Sequence, residues 1–204
     1  MFTIIDRMLF PDFVKVVKAN DKFVYPIFKN GSTTMLKDNS FTLLTPSEVQ
    51  DLEIVDVYIR EPYERFVSGV MTYCNEYDLN CEQAAKIINR VYFIDNHFCP
   101  QLFWVLNLKR FTNAKIRINN ISDLPESKNI SLRNKNNDYS NVSALFDKNS
   151  DLKFYLELDC VLYENCMNKT VSIEEILHIL QTNYTDLYNQ TFGYTKEIVT
   201  NLDI

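Results

Sequence analysis

Glycine is the scarcest feature of this 204-residue chain. It has three, Gly31, Gly69 and Gly193, where average usage of roughly 7% would supply about fourteen. Glycines so far apart cannot build the G-x-G-x-x-G turn that holds a dinucleotide, and no two have the spacing of the G-x-x-x-x-G-K-[ST] phosphate loop. Collagen-like and glycine-linker classes are excluded with them. The five cysteines, at positions 74, 81, 99, 160 and 166, include no C-x-x-C pair, so reduced thiols are expected and a metal site is not. Histidine occurs only at His97 and His178. No apolar run approaches the ~18 residues of a membrane span. Asp6 and Arg7 come too early for a signal-peptide apolar region. A cytoplasmic protein without an integral membrane segment is therefore expected. Positive charge is also short: 21 Lys and Arg face 27 Asp and Glu, a net charge of −6, which disfavours nucleic acid as a partner.

Apolar residues are plentiful. Hydrophobic residues make up 46% of the chain, with twelve Tyr and fourteen Phe, ample for one core and inconsistent with disorder. A single domain over 1–204 is expected, and the alternation of short apolar runs with helical periods points to an α/β fold. Phe23–Phe28, Phe41–Leu44, Ile54–Ile59 and Lys115–Ile118 read as strands. Thr45-Pro46-Ser47-Glu48 and Ser172-x-x-Glu175 read as capping boxes that open helices. In the helix after Pro62, the residues Tyr63, Phe66, Val67 and Val70 form a core-facing stripe, with Glu64, Arg65 and Ser68 off it. Residues 81–92 read as a helix, and 125–141, polar and rich in Asn, Ser and Lys, as a long loop. The C-terminal third reads as helical. Leu152, Tyr155, Leu156, Asp159, Leu162 and Tyr163 share a face, His178 sits at the surface or in packing, and Gly193 forms a left-handed C-cap. Asp159, on an apolar face, is expected to be buried and paired.

Two segments carry the chemistry. Lys29-Asn30-Gly31-Ser32-Thr33-Thr34 lies between a strand and a helix start, where converging backbone N–H groups and the helix dipole bind an anion. Gly31 allows the turn and the close approach, Ser and Thr add hydroxyl donors, and Lys29 adds a mobile charge. Arg60-Glu61-Pro62-x-x-Arg65-x-x-Ser68 places Arg60 at a strand end, where α/β proteins bind ligands, and a guanidinium grips phosphate through paired hydrogen bonds. Taken singly, each segment also fits a bland role: a polar helix cap, and a surface arginine. Arg60 follows Lys29 by 31 positions, room for an intervening helix and strand.

Together these segments resemble the two nucleotide-binding signatures of the carbohydrate-type sulfotransferase family, which uses 3′-phosphoadenosine 5′-phosphosulfate (PAPS). YPIFKNGSTTM resembles the 5′-phosphosulfate loop, and VYIREPYERFVSGV the 3′-phosphate signature R-[DE]-P-x-x-R-x-x-S. His97-Phe98-Cys99-Pro100-Gln101 resembles the family's H-x-x-P-Q stretch. Ile116 to Leu124 resembles its later strand-to-helix segment, with Asn119 and Asn120 where an acidic residue is often found. Tyr155-x-x-x-Asp159 and Phe192-Gly193-Tyr194 are weaker echoes. The resemblance implies a P-loop-like three-layer domain. Its central, mostly parallel sheet is flanked by helices, with a nucleotide-binding core over about 22–124 and a loop and helical part over about 125–204.

The resemblance also implies an activity: transfer of the sulfuryl group of PAPS to a hydroxyl or amine of a small-molecule or glycan acceptor, without a metal. In such a transfer, positioning and electrostatics dominate. Lys29 would neutralise the leaving phosphate. Asn30, Gly31, Ser32, Thr33 and Thr34 would hold the 5′-phosphate, and Arg60 and Ser68 the 3′-phosphate. Ser131 and Arg133 of the late loop would reach the nucleotide. His97 would be the general base, with Glu61, Glu64 and Asp95 as rivals. Two alternatives stand beside this reading. One is a non-catalytic nucleotide- or glycan-binding module. The other is an atypical P-loop kinase, for which Ile54-Val55-Asp56 would be the strand carrying a metal-binding Asp.

Overall fold

A computed structural model describes residues 15–27, 30, 32, 35, 41–80, 82–84, 97–124 and 150–199. Lys29, Gly31, Thr33, Thr34, Asp95, the 125–141 loop with Ser131 and Arg133, and most of the expected 81–92 helix lie outside the described residues.

The described strands are β1 (Val17–Ala19), β2 (Lys22–Val24), β3 (Thr42–Leu43), β4 (Ile54–Ile59), β5 (Lys115–Asn120) and β6 (Thr170–Val171). They form one sheet in the order β3-β1-β2-β4-β5-β6. The centre, β2-β4-β5, is parallel, whereas β1 pairs antiparallel with both β2 and β3, and β6 antiparallel with β5. The expected mostly parallel sheet is thus a mixed one. Its antiparallel margins are strands of two or three residues; β3 lies within the strand read over Phe41–Leu44, and β1 and β6 are too short to leave a periodic signal.

The helices are α1 (Pro46–Gln50), α2 (Pro62–Tyr77), α3 (Gln101–Asn107), α4 (Ser150–Asn165), α5 (Ile173–Asn183) and α6 (Thr185–Val199). Both capping boxes form: Thr45 and Glu48 bond reciprocally at α1, as do Ser172 and Glu175 at α5. Local chemistry also decides α2, where Pro62 takes the first position and the Glu61 carboxylate accepts from the N–H groups of Tyr63 and Glu64.

Pleating divides the core. Val55, Val57, Ile59, Ile116 and Ile118 face α3, α4, α5 and α6, meeting Leu102, Phe103, Val105, Leu158, Leu162, Ile176 and Leu180. The opposite face, with Val17, Val24 and Tyr58, meets Met35 and Leu124. Each such aliphatic side chain contributes roughly 1.5–3 kcal/mol when fully buried. Apolar contacts on both faces fit a three-layer α/β arrangement.

Three further expectations are corrected. The strand read over Phe23–Phe28 stops at Val24, because Pro26 has no N–H for a ladder. The helical C-terminal third also contributes a strand, β6, to the sheet edge. Gly193 does not cap a helix: α6 runs through it to Val199, since glycine costs only about 1 kcal/mol within a helix and the residues after it are ordinary helix formers. Asp159 is buried as expected, and His178 is exposed. Among the described residues no helix is long and apolar enough to cross a membrane.

Candidate functional site

The strand order reverses between β2 and β4. The chain leaves β2 for β3 on one side and leaves β4 for β5 on the other, and ligands of open α/β sheets sit beyond the carboxyl ends of strands at such a point. Two of the expected anion-binding segments meet there. Asn30 closes a turn by donating its N–H to the Ile27 carbonyl. Its side chain, fully buried, donates through Nδ2 to the Tyr58 carbonyl at 3.0 Å and to Gln101 Oε1 at 2.6 Å. Arg60, one residue past β4, donates its N–H to Gln101 Oε1 at 2.9 Å and accepts from Gln101 Nε2 at 3.0 Å. Burial of Asn30 also leaves no room for a glycan on the Asn30-Gly31-Ser32 triplet.

The network fixes its own amide orientations. Gln101 straddles the N–H and C=O of Arg60, so Oε1 must face the N–H and Nε2 the carbonyl. With Gln101 Oε1 and the Tyr58 carbonyl both acceptors, the Asn30 amide must present Nδ2 to them. Asn30 Oδ1 is buried with no hydrogen-bond partner among the described residues. Gln101 Nε2 continues to Asp159 Oδ2 at 3.4 Å. Asp159 also accepts from the Leu102 N–H at 3.2 Å and pairs with Arg65 Nη1 at 3.7 Å. Arg65 Nη2 donates to the Cys99 carbonyl at 2.8 Å. Burial pushes the Asp159 carboxyl up to about 6, against the opposing pull of Arg65 and of hydrogen bonds from residues 101 and 102.

Arg65 thus departs from its expected place off the core stripe: it is 1% exposed. A helix packed against both α4 and a neighbouring turn buries more than one stripe. The second contact is allowed by Gly69, where any Cβ would fall inside the van der Waals envelope of the His97 carbonyl oxygen. That turn, His97–Pro100, leads directly into α3 and delivers Gln101.

The outer surface of α2 carries the remaining candidates. Arg60, Glu64 and Ser68 follow one another at helical i, i+4 spacing. The Arg60 guanidinium is engaged through Nε by Glu64 at 3.5 Å. Ser68 is half-buried, its carbonyl accepting from Thr72 Oγ1. Glu61 already occupies the N–H groups of the first turn of α2, so an anion beside Arg60 would be held by side chains. Ser32 is buried and already helical.

His97 is not brought to this cluster. Its Nε2 lies 3.3 Å from Glu76 Oε2, and its ring meets Tyr73 edge-on. Glu76 stands more than two turns past Ser68, about 12 Å farther along the helix axis at ~1.5 Å per residue. The Gly69 notch and the Glu76 contact therefore set the imidazole on the outer half of α2, away from Arg60. Glu61 and Glu64 do lie near Arg60, but the first is consumed as a cap and the second as its ion-pair partner.

Asp56 does not lie where a metal-binding strand-end Asp would. It sits mid-strand, accepting from Arg117 Nη1 at 3.4 Å and from Asn119 Nδ2 at 3.0 Å. Asn119 thus serves Asp56, while Asn120 Oδ1 caps the turn at Ile121–Asp123 through the Ser122 N–H at 2.9 Å. Asp56 and Arg117 border a cavity of about 690 Å³ near the start of β4, whose lining also includes Lys18, Asp21, Glu48, Asp51 and Glu53. Five carboxylates against two cations make it a poor host for a nucleotide. Burial pushes the thiols of Cys160 and Cys166 up to about 11, which keeps them protonated at neutral pH and unsuited to nucleophilic work.

Sequence reasoning did not single out Gln101 or Arg65 as parts of a network. The signal for Gln101 was a lone amide opening the apolar run Leu102-Phe103-Trp104-Val105. For Arg65 it was the need of a buried Asp159 for a cation.

No family model, curated protein or solved structure matches the chain.

Proposed function

We propose that the chain is a PAPS-dependent sulfotransferase whose nucleotide lies across the carboxyl ends of β2 and β4. The observation that carries this reading is Gln101: one side chain bonds both Asn30 of the 5′-phosphosulfate segment and Arg60 of the 3′-phosphate segment. Segments 30 residues apart, chosen for anion-binding chemistry, share one buried amide. In the proposed reaction the acceptor oxygen or nitrogen attacks sulfur, the bond from sulfur to the 5′-phosphate oxygen breaks, and the acceptor proton passes to the general base. The products are the sulfated acceptor, a small molecule or glycan, and 3′-phosphoadenosine 5′-phosphate. Lys29 neutralises the departing phosphate, the backbone of residues 30–34 cradles it, and Arg60 with Ser68 holds the 3′-phosphate, displacing Glu64. His97, with its Nε2 3.3 Å from Glu76 Oε2, is the proposed base, with Glu61, Glu64 and Asp95 as rivals.

The test is selective stabilisation. 3′-Phosphoadenosine 5′-phosphate should raise Tm well above the shift given by ADP or ATP at equal concentration, because native-state binding stabilises in proportion to affinity. Arg60→Ala should abolish the difference. Equal shifts for all three nucleotides in the wild-type protein would overturn the reading.

Asn119 and Asn120, engaged by Asp56 and Ser122 where the resembled family often has an acidic residue, favour a second reading, a nucleotide- or glycan-binding module without transferase activity. Selective binding of the 3′-phosphorylated nucleotide, with no label passing from PAPS to a broad acceptor panel, would establish it.

A further inference from the structure

Gln101 uses every hydrogen-bonding valence of its amide. Oε1 accepts from Asn30 Nδ2 and the Arg60 N–H, and Nε2 donates to the Arg60 carbonyl and Asp159 Oδ2. It is fully buried, opens α3, and is anchored from below by the Asp159–Arg65 pair. Asn30 is bound on its other side to the Tyr58 carbonyl of β4. The loop that follows β2 and the residue that follows β4 are therefore held at one separation by a side chain that touches no solvent. Cutting the Asn30–Gln101 bond would leave the Asn30 side chain with one anchor, the Tyr58 carbonyl, and would remove its link to the Arg60 backbone.

We infer that Gln101 is a positioning residue that sets the spacing of two anion grips, and so makes the site selective for a ligand carrying two separated phosphate groups over one carrying either alone. This rests on the nucleotide reading above and adds to it a determinant of selectivity. The physical reason is preorganisation. A ligand held at both ends gains from the second contact only if the two grips already match its length, whereas a ligand held at one end is indifferent to their separation. Loss of Gln101 should therefore remove the advantage of the bisphosphate and leave each single grip in place.

The experiment measures, by calorimetric titration, the affinities of 3′-phosphoadenosine 5′-phosphate, adenosine 5′-phosphate and adenosine 3′-phosphate. The proteins compared are the wild type, Gln101→Met and Gln101→Leu. Both variants cut the Asn30–Gln101 bond without adding charge, and either suffices if the other does not fold. The preference for the bisphosphate should fall about tenfold or more in the variants, while either monophosphate changes by less than about threefold. A merely structural role would lower Tm and weaken all three ligands alike, keeping the ratio. A ratio kept intact in the folded variants overturns the inference alone. A wild-type protein with no bisphosphate preference overturns the nucleotide reading and this inference with it.

Discussion

The two ends of β4 differ in a way that separates volume from chemistry. Near Ile54 lies the 690 Å³ cavity, bordered by Asp21, Glu48, Asp51, Glu53 and Asp56 against Lys18 and Arg117. Beyond Ile59 the charged and polar groups are packed instead into a chain of bonds running from Asn30 through Gln101 and Asp159 to Arg65. The buried charge at the first end, Asp56, is met by a cation that is 39% exposed, whereas Arg65 and Asp159 are both inaccessible. An anion site needs donors held in place rather than space. The roomier end offers mostly acceptors, and the crowded end offers the framework on which donors can be set.

The sharpest way to break this comparison is to remove one cation at each end. Arg65→Ala should cost about 3–5 kcal/mol in urea unfolding, since it leaves Asp159 buried without its counter-charge. Arg117→Ala should cost only about 1 kcal/mol, because Asn119 still donates to Asp56 and water reaches the vacated side. Equal losses would make the two ends energetically alike. A second test places a pH response at the network end. Asp159 holds its proton up to about 6 in the native protein, against about 3.9 in an unfolded chain. The native state thus binds the proton more tightly. The contribution of Asp159 to stability is greatest below pH ~4, declines as pH rises through the window to about 6, and is level above it, a fall on the order of 3 kcal/mol. Unfolding free energies measured from pH 4 to 8 should show this component in the wild type and lose it in Asp159→Asn. A slope that survives the substitution would move its source elsewhere. The smallest effect is expected at the surface. Glu64→Gln frees Arg60 from an exposed ion pair and should tighten 3′-phosphoadenosine 5′-phosphate about two- to fivefold at low salt, with the gain fading at high salt. Glu48→Gln, at the other end, should leave that affinity unchanged.

What the sequence made legible follows from the range of the forces involved. β4 was read to the residue, because a β-branched run bounded by an Arg-Glu-Pro break is local information. So were the caps at Thr45 and Ser172, where donor and acceptor lie three positions apart. The sheet margins were legible only in part: β3 falls within the strand read over Phe41–Leu44, whereas β1 and β6, three and two residues long, exist only because other strands pair with them. At the candidate site, Asn30 and Arg60 could be chosen by residue type, but their connection could not. The partners of Gln101 lie 41, 58 and 71 positions away in the chain, and no periodicity spans such distances. The His97–Gln101 segment could be singled out by its pattern, but the pattern does not tell that its last residue, Gln101, is the one that joins the buried network.

Gly69 gives the assembly a tolerance problem in the machinist's sense. The His97–Pro100 turn is seated on the backbone of α2 with no spacer between them, and α3 is mounted on that turn. An added methyl group would act as a shim. It would lift the turn off α2, and the displacement would be passed rigidly to the first residue of α3, which is Gln101. A change of one carbon on a helix, in a residue that bonds to nothing in the network, would therefore be read out as misalignment between Asn30 and Arg60.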